Sequence, residues 1–177
     1  AQASIALSLQ GNAEKFIEAG LSELPTDLKL LVIANSIYCE INDCDKRLLN
    51  AIALIENHPG RWQGYGFAAE ACFALKLYED AERYIEQGLN RWPSRFQLLT
   101  IANSIYCEIN DCDKRLLNAT ALIKNHSGRW QGYGFSAEAY IALKLYDDAE
   151  RCIERGLNKC PSSLRLLIVA NDIYRAS

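Results

Sequence analysis

The chain has no methionine, two histidines and only four prolines among 177 residues, and each shortage removes a class of function. The missing methionine, at position 1 as elsewhere, leads us to expect a piece of something longer, although a processed terminus would look the same. The histidines, His58 and His126, sit in equivalent turns (Asn-His-Pro-Gly and Asn-His-Ser-Gly), so no two stand at helical spacing as the common zinc-peptidase motif requires. No apolar run approaches the roughly 20 residues that span a bilayer, and no charged-then-apolar leader opens the chain. The net charge of -3 leaves no basic stripe to neutralise phosphates, so neither nucleic acid nor an anionic membrane is an expected partner. Glycine-rich phosphate loops and nucleophile elbows are also missing, so we expect no enzyme, no catalytic residue, no cofactor and no metal. Seven cysteines, an odd number mostly within apolar helical patterns, suit free thiols in a reducing, cytoplasmic setting.

What is present is a period. Pro25, Pro59, Pro93 and Pro161 fall on one lattice of 34 residues, whose single empty point is Ser127. Superimposing residues 33–100 on 101–168 gives 53 identities in 68 positions, so the larger unit is two 34-residue repeats of different flavour. Ala13–Pro25 matches Ala81–Pro93, and Leu164–Tyr174 repeats Phe96–Tyr106. The expected organisation is a partial repeat over 1–27, repeats at 28–61, 62–95, 96–129 and 130–163, and a terminal helix over 164–177 in one array. Apolar residues recur at three- and four-residue intervals, as in Phe67–Tyr78, and strand-type alternation is absent, so helices are expected throughout. Asp43 and Asp45, Glu79 and Asp80, and Asp147 and Asp148 suit the positive ends of the second helices. Gly20, Gly88 and Gly156 fall inside second helices, where each costs about 1 kcal/mol relative to alanine, which close helix approach would offset.

The residues at these lattice positions resemble the tetratricopeptide repeat. Tyr133, Ser136, Ala137 and Tyr140, then Ala149, Ile153, Gly156 and Pro161, follow the family pattern, as do Tyr65, Ala68, Ala69, Cys72, Ala81, Ile85, Gly88 and Pro93. The other flavour keeps Leu31, Ala34, Tyr38 and Pro59 but puts Asn35 and Arg47 where the family has small residues. The resemblance implies an all-α, right-handed superhelical solenoid of antiparallel helix pairs whose concave groove is lined by the first helix of each pair.

On that face assignment Gln63, Gly66 and Glu70, with their duplicates Gln131, Gly134 and Glu138, would line the groove, the glutamines offering a peptide both donor and acceptor. Alternatively the glycines of the two Arg-Trp-Gln-Gly-Tyr-Gly-Phe segments make room for rings that join neighbouring repeats. Asn35, Asn103 and Asn171 recur every 68 residues and would grip a peptide main chain as a ladder, or, one position over, point between the two helices. Glu40, Glu70, Glu108 and Glu138, against Lys29 and Arg165, would make the groove acidic. The pairs Cys39/Cys44 and Cys107/Cys112 lack the second pair or histidine of a zinc site. The expected function is a non-enzymatic scaffold holding a peptide or helical segment of a protein partner. Alternatives are self-association through the terminal helices, with Leu166, Ile168 and Val169 seeking a partner surface, and an accessory array of a larger enzyme such as a glycosyltransferase.

Overall fold

The computed structural model describes the backbone of residues 2–176 and the side chains of residues 11–175, and every regular element there is an α-helix. In chain order these are α1 (Gln2–Glu23), α2 (Leu28–Glu40), α3 (Cys44–Asn57), α4 (Trp62–Ala74), α5 (Tyr78–Arg91), α6 (Phe96–Glu108), α7 (Cys112–Asn125), α8 (Trp130–Ala142), α9 (Tyr146–Lys159) and α10 (Leu164–Ala176). Loops of three or four residues join them from α2 onward, short enough that sequential helices lie antiparallel. The all-α class of antiparallel helix pairs expected from the sequence is the class observed. The chain divides into two compact units, residues 1–88 and 89–177, with the boundary inside α5.

The tight turns have a local cause. Asn42, Lys76, Asn110 and Lys144 take left-handed φ angles of 58° to 63° just past a helix end. This lets the next amide reach back five residues: Asp43 N–H donates to the Tyr38 carbonyl at 2.9 Å and Leu77 N–H to the Cys72 carbonyl at 2.8 Å. Asp43 and Asp111 then cap the following helix, accepting from the Lys46 and Lys114 amides at 3.0 and 2.9 Å. Successive repeat turns are tied by side chains. His58 Nε2 meets the Thr26 carbonyl at 2.7 Å in the first unit, and His126 Nε2 meets the Ser94 carbonyl at 2.7 Å in the second. The histidines are therefore turn staples.

In the first unit Ile17 of α1 packs on Ala34 and Tyr38 of α2, while Ala51 and Leu54 of α3, Ala68 and Cys72 of α4, and Ala81 and Ile85 of α5 are buried. In the second unit Tyr133, Ala137, Ala149, Ile153, Leu166, Val169 and Ile173 form one cluster of α8, α9 and α10. Gly156 makes that cluster possible: a Cβ there would stand 2.7 Å from Tyr133 Cβ and 3.0 Å from Leu166 Cδ1. Leu166 and Val169, expected to seek a partner, are buried instead, because the face of α10 that carries them packs on α8 and α9. The apolar side chains that α10 leaves exposed are Leu164, Leu167, Ile168 and Tyr174. Among the described residues no helix is long and apolar enough to cross a membrane.

Candidate protein-binding surface

The first helices α4 and α8 carry six of the nine expected groove residues, and in each unit a buried arginine organises what surrounds them. Arg47 of α3 is 9% exposed, a position that needs partners for its charge. Its Nε donates to Asn35 Oδ1 of α2 at 3.3 Å and its guanidinium pairs with the Glu70 carboxylate of α4. Asn50 of α3, also buried, donates from Nδ2 to the Leu31 carbonyl at 2.7 Å. Three helices are thus clasped by polar contacts where the repeat pattern has small apolar residues.

The second unit repeats the clasp. Arg115 donates from Nε to Asn103 Oδ1 at 3.1 Å and from the guanidinium to Glu138 Oε2 at 2.6 Å, and Asn118 donates to the Leu99 carbonyl at 2.7 Å. Here Glu138 has a second cation, Arg165 of α10, at 2.8 Å from Oε1. Beside Arg165 lies a cavity of about 490 Å³ between the α7–α8 and α9–α10 turns, lined by Arg129, Trp130, Gln131, Ser162, Ser163 and Arg165, among others. It offers cationic and hydroxyl donors, a flat ring and a primary amide. Arg129 makes no side-chain cap to the helix it precedes, and its guanidinium lies over the Phe96 ring, 4.2 Å from the centroid.

The nine expected residues are therefore placed differently. Gln131 and Glu138 are joined to one surface by Arg165. Gln63 and Glu70 occupy the same positions on α4, and both glutamines hold a buried Oε1 with no partner among the described residues. Gly66 and Gly134 are buried, and a Cβ on Gly134 would meet the Trp130 ring at 3.1 Å, so that glycine makes room for a ring. Asn35 and Asn103 lie inside their helix pairs, bonded to arginine, whereas Asn171 is exposed on α10. The acidity expected of Glu70 and Glu138 is offset by Arg47, Arg115 and Arg165. Sequence reasoning noticed Arg47 as a departure from the pattern but gave it no partner, and the signal was present: the positions facing each other in a pair, Asn35 and Arg47, had both changed.

No group of three His, Cys, Asp or Glu side chains among the described residues is placed to hold a metal ion. All seven cysteines are free. Burial, reinforced by Asp80, pushes the Cys72 thiol up to about 11, so it stays protonated at neutral pH and packs as a small apolar group.

No protein-family model matches the chain. It is 27% identical over 110 residues to the Hsp70/Hsp90 co-chaperone cns1 of Schizosaccharomyces pombe, a match covering 60% of this chain and 31% of that protein, so the match spans about a third of the relative's length. Among solved structures it is similar to TTC0263, a thermophilic TPR protein of Thermus thermophilus, with a TM-score of 0.71, 19% identity, and 97% and 93% of the two chains covered. It is also similar to the first TPR of Spaghetti (RPAP3) bound to the HSP90 peptide SRMEEVD, with a TM-score of 0.58, 17% identity, and 66% and 93% covered.

Proposed function

The chain has the fold of tetratricopeptide-repeat proteins, and from that premise we propose that it is a non-enzymatic protein-interaction scaffold that holds an extended segment of a protein partner against its first helices. The observation that carries this reading is the cavity beside α8, where Gln131, Arg129 and Arg165 surround Trp130 with no carboxylate among the lining residues. A main chain laid across Trp130 finds guanidinium donors for its carbonyls or for an acidic side chain, with the Gln131 side chain beside them. Glu138 holds Arg165 in place, so part of the ordering cost of that donor is met before the partner arrives. On α4 of the first unit, Gln63 and Glu70 supply the corresponding contacts, and Glu70, paired with Arg47, keeps 39% of its side chain exposed. The likeness to a co-chaperone and to a repeat domain holding a peptide supports a protein partner.

A random-peptide display selection on the purified chain tests the reading. Selected peptides should bind the Gln131→Ala/Arg165→Glu variant at least about tenfold more weakly than the parent, with unchanged helical content, while Lys159→Glu, on α9, has little effect. Failure to enrich any peptide, or affinities indifferent to Gln131 and Arg165, would remove this surface as the site.

A further inference from the structure

A net charge of -3 conceals a cationic end on the second unit. Taken with two helical residues on either side, the α5–α6, α7–α8 and α9–α10 turns span residues 90–97, 124–131 and 158–165. These stretches contain Arg91, Arg95, Lys124, Arg129, Lys159 and Arg165, all exposed, and no Asp or Glu. The three turns adjoin: His126 Nε2 meets the Ser94 carbonyl, the Cys160 thiol donates to the Gly128 carbonyl at 3.4 Å, and Arg129 lies over Phe96. In the first unit the corresponding stretches, 22–29 and 56–63, set Glu23, Asp27 and Glu56 against Lys29 and Arg61. One 68-residue period on from those three acids stand Arg91, Arg95 and Lys124. The bias therefore belongs to the second unit and not to the repeat as such.

Part of this charge meets at the cavity beside Trp130. Arg115 and Arg165 share Glu138, and Arg129 pairs with no carboxylate among the described residues, so three guanidiniums stand against one carboxylate and two positive charges remain. Arg129 and Arg165 reach the cavity from different turns, and the exposed Ser162 adds a hydroxyl. An Asp or Glu side chain brings one charge and a planar pair of oxygens, which a single guanidinium satisfies. A phosphorylated side chain brings close to two charges and three acceptor oxygens, so it takes donors from both turns at once. A single strand of nucleic acid fits less well. Such strands stack on successive open rings, whereas Phe96 is already covered by Arg129 and packed against His126.

We propose that this end of the second unit recognises a phosphorylated serine or threonine in the partner's segment. The phosphate sits between Arg129 and Arg165, with the Ser162 hydroxyl donating to it, and no carboxylate on the three turns repels it. This rests on the reading of the chain as a scaffold for an extended segment, and adds that the segment is held in its phosphorylated form.

The test offers the full chain three pools of short degenerate peptides that differ only in a central phosphoserine, serine or glutamate. All are acetylated and amidated, so that no terminal carboxylate contributes. The phosphoserine pool should be retained preferentially, and peptides resynthesised from it should bind at least about tenfold more tightly than their serine and glutamate counterparts. Arg129→Gln with Arg165→Gln should erase that difference, whereas Arg61→Gln, at the first-unit position that matches Arg129, leaves it intact. Should freeing Glu138 of Arg165 lower helical content, Arg129→Gln alone and Ser162→Ala, both at exposed positions, should each shrink the difference about threefold or more. Peptides that bind equally in all three forms, with affinities sensitive to Gln131 and Arg165, would overturn the phosphate proposal and leave the scaffold reading standing. Retention of no pool would overturn both. A difference that survives the arginine changes, inorganic phosphate that competes as well as the phosphopeptide, or an oligouridylate that displaces it at lower concentration overturns the proposal equally.

Discussion

Within the second unit two neighbouring helix pairs of the same length are closed by different chemistry. In α6/α7 the facing positions are Asn103, Arg115 and Asn118, and the pair is held by hydrogen bonds that continue to Glu138 of α8. In α8/α9 they are Ala137, Ala149, Ile153 and Gly156, and the pair is held by contact with Tyr133. The apolar closure depends on volume and tolerates little change of shape, whereas the polar one depends on register, since each donor has one acceptor at one height on the facing helix. A buried arginine adds little net stability relative to a well-packed apolar residue, but removing it strands its partners.

The sharpest way to break this contrast is Arg115→Ala. It leaves Asn103 without its donor and removes the cation that Glu138 shares with Arg165, so a loss of about 3 kcal/mol is expected in urea denaturation. Arg115→Met combined with Asn103→Ala, which removes both polar ends, should recover most of it. A loss below about 1 kcal/mol for Arg115→Ala would mean that water replaces the guanidinium at no cost, and that the polar closure is decorative. On the apolar side, Gly156→Ala gains about 1 kcal/mol of helix propensity but drives a methyl onto Tyr133 and Leu166, so a net cost of about 1–2 kcal/mol is expected in the same assay. Gly128→Ala, with nothing within 4 Å of its added Cβ, is the control and should change stability by no more than about 0.5 kcal/mol. Removing the cap with Asp111→Ala, where the carboxylate accepts from the Lys114 amide at 2.9 Å, should cost about 1 kcal/mol and speed amide exchange in the first turn of α7.

The contrast also marks how far the sequence could be read. The proline lattice and the three- and four-residue apolar spacing foretold helical repeats, and an interior glycine foretold the close approach at Gly156, because these signals are local and periodic. The clasp was hidden for the opposite reason. Arg115 and Glu138 lie 23 residues apart on helices joined through a turn, and their meeting depends on the rotation of each about its own axis. One residue of register turns a side chain by about 100°, enough to move Asn35 and Asn103 from a trough to the inside of a pair. The same rotation misassigned Leu166 and Val169. Only the neighbouring Ile168 keeps the exposure expected of all three.

The smallest effect concerns the one lattice point without a proline. The His126-Ser127-Gly128 turn has the same bonding as His58-Pro59-Gly60: the histidine amide donates to the carbonyl four residues before it, and the arginine amide three residues on donates back to the histidine carbonyl at 3.0 Å in both turns. The first turn accommodates proline in this arrangement, so the second should accept it without strain and without losing a bond. Ser127→Pro then acts on the unfolded chain alone, by removing conformations that folding must otherwise give up, and should stabilise the protein by about 0.4–1 kcal/mol. The gain should appear as slower amide exchange around the α7–α8 turn and a higher urea midpoint at unchanged slope. A loss of stability instead would show that the two turns differ in backbone angles despite sharing their hydrogen bonds, and that the serine stands there because proline does not fit.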